Sequence, residues 1–382
     1  MKIINRLADR FAKVQPLPVG VYHKQAEMAN KPYRIHLRLR PDGSGVLILN
    51  ASTILHVNAT AAEYAFHFIR GTELEQAAKQ IASRYRVSKG MAREDYQDFV
   101  DKIETLISTE DLDPVSFLDF ERITPHSAAL TAPLRLDCAL TYRLPKGTDV
   151  DYAPTKRVDR ELTTEEWQTV LDKAWQVGIP HVTFTGGEAT LREDLPALIA
   201  HAEKNGQVCG LLTDGLKLTD EEYLNMLLQT GLDHVMMILQ PDKKESWKAI
   251  ATIVPVDLFL TVHFTLTKEN LNEAPQILEK LANRSVTNLS LSTSDHNLLD
   301  ELVQLQNKAS ELNFTLRWDL PVPYAETNPV AIQTEENQAP SGAGKVWLYI
   351  EPDGDVLPAQ GKGKVLGNIL RDDWEKIYKV AV

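Results

Sequence analysis

Residues 33–39 alternate strictly: Tyr33, Ile35, Leu37 and Leu39 fall on one face, Arg34, His36 and Arg38 on the other. A period of two predicts a half-buried strand. Pro41-Asp42-Gly43-Ser44-Gly45 supplies a turn, and residues 46–49 return as the hairpin partner. Beyond it, Asn58 or Thr60 caps a helix that Gly71 ends, and residues 74–85 and 92–107 predict two more helices. A hairpin followed by three helices is a small winged-helix-like module. Ahead of it, Ile3, Ile4, Leu7, Phe11 and Val14 recur at helical spacing opposite Lys2, Arg6, Arg10 and Lys13, so residues 1–14 predict an amphipathic helix. Such a helix docks on its own protein or lies on an anionic membrane.

Residues 111–127 show no periodicity and read as a connector. From Leu134 the rhythm changes. Apolar runs (LRLDCALTY, HVTFTG, VCGLLTDG, HVMMIL, LFLTVHFTL, NLSLST, FTLRWDL) alternate with amphipathic stretches such as 164–177 and 220–229. Repeated strand-then-helix units with buried strands predict a parallel sheet, either open or curled toward a barrel. Residues 332–345 are polar and read as loop. Residues 345–369 predict a hairpin turning at Pro352-Asp353-Gly354, and residues 372–380 a final short helix.

A chain of 382 residues exceeds one small core and predicts two or three domains. With 43% hydrophobic and 25% charged residues it has an ordinary globular composition. No run of about 18 apolar residues predicts a membrane span, and MKIINRLADRFAKV lacks a secretory signal's apolar core. The expected location is the cytosol. Two cysteines, Cys138 and Cys209, cannot build a disulfide framework or a four-thiolate cluster. A net charge of −12 argues against nucleic acid as partner. The first 40 residues nevertheless carry +7, leaving −19 on the remainder, so the basic leading edge predicts an acidic partner.

The pieces TYR-x-x-x-x-x-x-x-x-Y (from Thr141), TGGEATLREDL, LLTDGLKLTDEE, WLYIEPDGDV-x-P-x-Q-G and LGNIL-x-D-x-W occur in order along the chain. Together they resemble radical S-adenosylmethionine proteins of the peptide-modifying kind, which carry an N-terminal peptide-recognition domain and a C-terminal auxiliary-cluster (SPASM) domain. The resemblance runs from about Ile35 to Tyr378. It implies an α/β fold: a partial (β/α)6 TIM-like barrel over 121–328, a winged-helix-like domain over 22–120, a SPASM-like segment over 329–382 and the amphipathic helix over 1–21.

In that family three Cys after the first strand bind a [4Fe–4S] cluster, whose open iron chelates the methionyl end of S-adenosylmethionine. Soft thiolates hold and tune the irons. The matching positions here are Leu144, Thr148 and Asp151, and the auxiliary-cluster position is Ala359 within Pro358-Ala359-Gln360-Gly361. None supplies a thiolate, so no cluster is expected. The resemblance implies cofactor contacts from Gly186, Gly187, Glu188 and Thr213. Glycines permit close approach, and a carboxylate suits the cofactor's ammonium. The competing reading of the glycines is a tight strand-to-helix turn. Asp214 stands where the family usually has Asn, and Leu239-Gln240-Pro241-Asp242 where Ser-Leu-Asp-Gly is usual.

No metal site is expected. His181, His201, His234, His263 and His296 lack ligand spacing, His263 reads as facing the barrel, and Asp137, Asp149 and Asp151 read as surface loop carboxylates, the alternative being a hard-cation site. Cys138 reads as a core residue, the alternative being a nucleophile paired with His181 or His263.

HVNATAAEYAFHFIRGTELEQAAKQIASRYRVS resembles the pyrroloquinoline-quinone-D-like domain that grips leader peptides in ribosomal peptide maturation. By that resemblance Val46, Leu47, Ile48 and Leu49 form the strand that receives an extended peptide, with Arg34 and Arg38 attracting an acidic leader. Three functions follow as expectations. The first is a pseudoenzyme binding a leader or precursor peptide, an active partner radical enzyme, or both. The second is a non-radical enzyme using S-adenosylmethionine or the barrel lumen, and the third a structural subunit.

Overall fold

The computed structural model describes residues 17–28, 31–50, 53–109, 130–318, 320–335 and 339–381, with Leu112, Phe117 and Leu118. The amphipathic helix expected over 1–14 and most of the connector over 111–127 lie outside the described residues. Described residues up to Thr131, with Trp175–Pro180, form one compact unit; Ala132–Ala174 and the described residues from His181 onward form a second.

The first unit holds a four-stranded antiparallel sheet in the order β1 (Gly20–Met28), β2 (Lys31–Leu39), β3 (Gly45–Leu49), β4 (Thr53–Val57). The predicted hairpin is β2–β3, with Gly43 at φ 85° and Asp42 accepting from the Ser44 amide at 2.9 Å in its turn. Helices α1 (Ala59–Arg70), α2 (Leu74–Tyr85) and α3 (Lys89–Ser108) follow. Asn58 caps α1 by accepting from the Ala61 amide, and Gly71 ends it at φ 63°, a conformation in which a side chain would be strained. Ile35, Leu37, Leu47, Leu49, Leu55 and Ile103 are buried in one core between the sheet and the helices.

The sequence did not reveal β1 and β4, and they change the peptide expectation. β3 is paired with β2 on one side and β4 on the other, so residues 46–49 have no open ladder. The open edges are β1 and β4. Arg38 is also not an outward-facing attractant. It is buried, and its Nε donates to the Gly178 carbonyl at 2.7 Å within the same unit. Arg34 is half-buried at the sheet end, where its backbone amide donates to Asn50 Oδ1.

The second unit is built on one ten-stranded sheet in the order β11–β10–β9–β8–β7–β6–β5–β12–β13–β14. Its parallel strands are β5 (Arg135–Thr141), β6 (His181–Gly186), β7 (Val208–Thr213), β8 (His234–Ile238), β9 (Phe259–Leu266), β10 (Asn288–Thr293) and β11 (Thr315–Leu316). The connections between them carry α4 (Thr164–Gln176), α5 (Leu195–Asn205), α6 (Glu221–Gln229), α7 (Lys244–Ile253), α8 (Ala274–Ala282) and α9 (Leu299–Glu311). The predicted C-terminal hairpin is β12 (Trp347–Ile350) and β13 (Asp355–Leu357), with Gly354 at φ 89°. It joins the sheet because β12 runs parallel to β5, and β14 (Gly367–Asn368) pairs β13 beyond it. Residues 332–345, expected as loop, begin inside the short helix α10 (Val330–Glu335), and α11 (Trp374–Ala381) closes the chain.

The strand register sorts the side chains. Cys138, Phe184, Leu211, Val235, Met237, Val262, Phe264 and Leu291 share one parity and give an apolar face. Asp137, Thr183, Thr185, Gly210, His234, Thr261, His263 and Ser290 share the other. This second face also carries Leu212, Met236 and Ile238, so it mixes polar with apolar side chains.

Candidate functional site

Ligands in parallel α/β sheets bind outside the carboxyl ends of the strands, where the loops converge. A cavity of about 580 Å³ lies there. Leu144, Pro145 and Thr148 line it from the loop after β5, Gly187 and Glu188 from that after β6, and Asp214 from that after β7. The loops after β8 and β9 add Leu239 to Lys243 and Thr267, Glu269 and Asn270, and Tyr324 closes one side.

Glu188 is the centre of this end of the sheet. It is 4% exposed. Oε1 accepts from the Thr190 amide (2.9 Å), the Thr190 hydroxyl (2.6 Å) and the Thr213 hydroxyl (2.7 Å), while Oε2 accepts from the Asp214 amide (2.7 Å). A carboxylate offers about four acceptor positions, so donors of its own chain fill them. Thr213 in turn accepts from the Gly215 amide at 3.1 Å.

The two glycines before Glu188 answer to the same crowding. Gly186 sits at φ 135°, and a Cβ there would fall 2.1 Å from the Thr141 carbonyl oxygen. A Cβ on Gly187 would fall 2.3 Å from the Arg143 carbonyl oxygen and 3.0 Å from Leu144 Cδ2. The Gly187 and Glu188 amides donate to those same carbonyls of Thr141 and Arg143. The tight turn thus accounts for both glycines, and Glu188 ties that turn to Thr213 by accepting from its hydroxyl.

Asp214 is the residue whose weight the sequence did not disclose. Burial first, then the negative charge of Glu188, push its carboxyl up to about 7. Its Oδ1 accepts from the Leu216 amide at 2.9 Å.

The [4Fe–4S] positions do not converge on a ligand set. Leu144 packs against the buried cluster of Ala139, Tyr142, Ala153, Tyr324, Tyr349 and Leu357. Thr148 closes a turn through its amide to the Pro145 carbonyl. Asp151 has a side chain 71% exposed and pairs with Lys156 at 3.3 Å. Ala359 is buried and offers no side-chain donor. An apolar chain, a hydroxyl and one solvated carboxylate do not fit an iron–sulfur cluster. The acceptor positions of Glu188 are filled by Thr190, Thr213 and Asp214. Among the described residues no group of three or more His, Cys, Asp or Glu is arranged to hold a metal.

The remaining candidates separate. Asp137 takes a bidentate pair from Arg135 and a hydroxyl from Thr183, while Asp149 accepts from the Asp151 amide, so they form no shared site. Cys138 lies on the apolar face, opposite in parity to His181 and His263, and burial pushes its thiol up, so the Cys–His nucleophile is excluded. His201 pairs with Asp172 at 2.7 Å, and His296 lies in a single helical turn. His263 shares a face with Thr261 and Ser290, with Nδ1 2.9 Å from the Ser290 hydroxyl and Nε2 3.0 Å from that of Ser292. His181 and His234, unrelated by spacing, meet nitrogen to nitrogen at 2.7 Å. The available signal was that each opens a strand; nothing local says those strands lie two apart.

Residues 138–256 match the model of the radical SAM superfamily. Two curated relatives are PqqA peptide cyclases. That of Bradyrhizobium diazoefficiens is 27% identical over 266 residues, 62% of this chain and 68% of that protein. That of Granulibacter bethesdensis is 30% identical over 168 residues, 40% of this chain and 45% of that protein. Among solved structures, Streptococcus suis SuiB bound to S-adenosylmethionine aligns with TM-score 0.57 and 14% identity over 90% of this chain and 86% of that one. SuiB bound to its precursor peptide SuiA aligns with TM-score 0.56 and 14% identity over 90% and 87%. This likeness is one of fold.

Proposed function

We propose that the chain is a radical SAM-like pseudoenzyme: a partial barrel without cluster chemistry, joined to a winged-helix-like domain that captures an extended leader or precursor peptide in the cytosol. The observation that carries this reading is the donor set at the former cluster positions. Leu144 is absorbed into an apolar core and Asp151 into a solvated ion pair, which leaves nothing to accept an electron and pass it to a sulfonium. Peptide capture is supported by relatives that are PqqA peptide cyclases and by the SuiB structure with precursor peptide SuiA.

The receiving edge is moved to β4. Asn50 donates its amide to Arg34, which by antiparallel alternation places the main-chain groups of Leu47 and Leu49 toward β4. The groups of Leu55 then face β3, and those of Ile54 and His56 face the open side. A peptide adding there would lie beside Ile54, which is 36% exposed. The test pairs two measurements. Anaerobic reconstitution with iron and sulfide should give no stoichiometric cluster absorption. His56→Pro should abolish capture of a fluorescent precursor peptide while circular dichroism stays native, because Pro removes an outward donor and spares the β3 ladder. A cluster would end the pseudoenzyme reading; undiminished capture would end the β4 one.

The cavity favours one second reading, a non-radical enzyme acting on a bound small molecule. Turnover of S-adenosylmethionine without iron would establish it.

A further inference from the structure

The chain is acidic, with a net charge of −12, yet one face of its second unit is basic. Helix α7 presents Lys244 and Lys248 four positions apart on its outward side. Helix α8 presents Lys280, with Arg284 four positions on, just past its end. All four residues are exposed. The two helices meet at Trp247, which is 8% exposed. Lys280 Nζ lies 3.6 Å from the centre of its ring and the Arg284 guanidinium carbon 5.1 Å. The indole is pinned by its Nε1, which donates to the Pro241 carbonyl at 2.7 Å.

Counter-charge is missing from this face. Neighbouring cations elsewhere are matched, Lys268 by Asp295 and Lys308 by Glu279. Glu279, the acid beside Lys280 in sequence, is thereby drawn to α9. Lys243, beside Lys244, faces Asp214 in the cavity. The single acid of α7, Glu245, stands two positions before Trp247 and so on the other side of the helix. Among the described residues no ion pair joins Lys244, Lys248, Lys280 or Arg284 to a carboxylate. Like charges so gathered repel, and an arriving anion relieves that repulsion. A flexible exposed lysine loses most of an ion pair's energy to its own ordering. Here the fixed ring already orders two of the four cations, so a carboxylate that meets them faces less of that cost.

We propose that the α7–α8 face is a docking surface for an acidic polypeptide segment, whose carboxylates pair with Lys280 and Arg284 over Trp247 and with Lys244 and Lys248 beside it. The Arg284 fork takes one carboxylate bidentately and the Lys280 ammonium a second. A nucleic acid is the wrong polyanion, because its phosphates would run on past the patch over a body of net negative charge. A second copy of this chain fits no better, since a two-fold contact would set basic face against basic face. The surface lies apart from β4, and its test does not depend on peptide capture there.

The probe is fluorescein-labelled hexaglutamate, titrated into the full chain at neutral pH and read by fluorescence anisotropy. Binding should be saturable at low salt and weaker by about tenfold or more at physiological ionic strength, where the Debye length is about 8 Å. Lys280→Gln with Arg284→Gln should weaken it by about fivefold or more. Lys364→Gln with Lys376→Gln makes an equal charge change on exposed residues near the C-terminal end and should shift it by less than about twofold. Both variants alter exposed side chains and should keep the native circular dichroism. No binding of hexaglutamate, or equal losses in the two double variants, would overturn the proposal. So would binding that the first variant leaves intact, which would move the acid to the +7 of residues 1–40. Tighter binding of labelled oligothymidylate, lost in the Lys280 and Arg284 variant, would give the face to nucleic acid. Self-association abolished by that variant would give it to a second copy, and either result ends the polypeptide reading.

Discussion

The imidazoles of His181 and His234 meet at 2.7 Å between their Nε2 atoms, spanning β7 over Gly210. That strand crosses beneath them only because residue 210 has no side chain. A Cβ there would fall 2.1 Å from His234 Cε1 and 2.3 Å from its Nε2. Gly210→Ala should therefore cost about 2–4 kcal/mol by displacing a buried ring. Gly90→Ala, with nothing within 4 Å of its Cβ at the start of α3, should be neutral or stabilising by up to about 1 kcal/mol. Urea midpoints of the two variants check the contrast, and equal effects would show that the histidine pair does not need the glycine.

Buried histidines also set an acid limit. Burial lowers His181 well below its ordinary value and lowers His234 and His263 to about 4. A histidine whose folded-state pKa is depressed stabilises the fold above its unfolded value near 6.5, and loses that contribution as pH falls toward the folded value. His263→Gln should accordingly flatten the loss of stability between pH 6.5 and 4, by on the order of 2–3 kcal/mol. Denaturation curves at pH 7 and pH 4.5 measure it; an unchanged slope would mean that His263 is already protonated in the fold.

These sites differ in how far the sequence disclosed them. Turn and cap chemistry is local, so Asn58, Gly71, Gly43 and Gly354 marked their positions directly. The parallel strands announced themselves by unbroken apolar runs. β1 and β4 stayed hidden because Gly20–Met28 mixes His, Lys, Gln and Glu, and Thr53–Val57 is five residues between a turn and a helix cap. That omission misplaced the open edge by one strand. Asp214 read as a mild change from Asn because its consequence depends on Glu188, 26 positions away and brought beside it by the fold.

The Glu188 clasp predicts a structural cost independent of any ligand. Glu188→Gln keeps shape but turns an amide NH2 toward donors, leaving at least one of the Thr190 and Asp214 amides without an acceptor. A buried unsatisfied donor costs about 1–3 kcal/mol. Glu188→Gln should thus lower the thermal midpoint, whereas Thr190→Val, removing one hydroxyl donor, should do less harm. Differential scanning calorimetry of the pair checks the order. A harmless Glu188→Gln would return this carboxylate to the list of free ligand groups.

Tyr142 and Arg157 hold the loop after β5 to the C-terminal hairpin through one acid. The Tyr142 hydroxyl donates to Glu351 Oε1 and Arg157 pairs with Oε2, each at 2.8 Å. Burial raises the Glu351 carboxyl even though Arg157 opposes the shift. An acid whose folded-state pKa is raised contributes stability at low pH and loses it as pH rises through that value. Removing Arg157 raises it further, so Arg157→Ala should cost more at pH 8, where Glu351 must carry an uncompensated charge, than at pH 4.5, where it takes up a proton. Because the Arg157 side chain is 38% exposed, solvent screening limits the difference to about 1–2 kcal/mol. Paired urea titrations at the two pH values, with trypsin cleavage at Lys156 as a local readout of the loop, measure both the energy and its place. A pH-independent cost would mean that Arg157 acts by packing rather than by charge, and the loop would then owe its position to Leu144 and the tyrosine cluster alone.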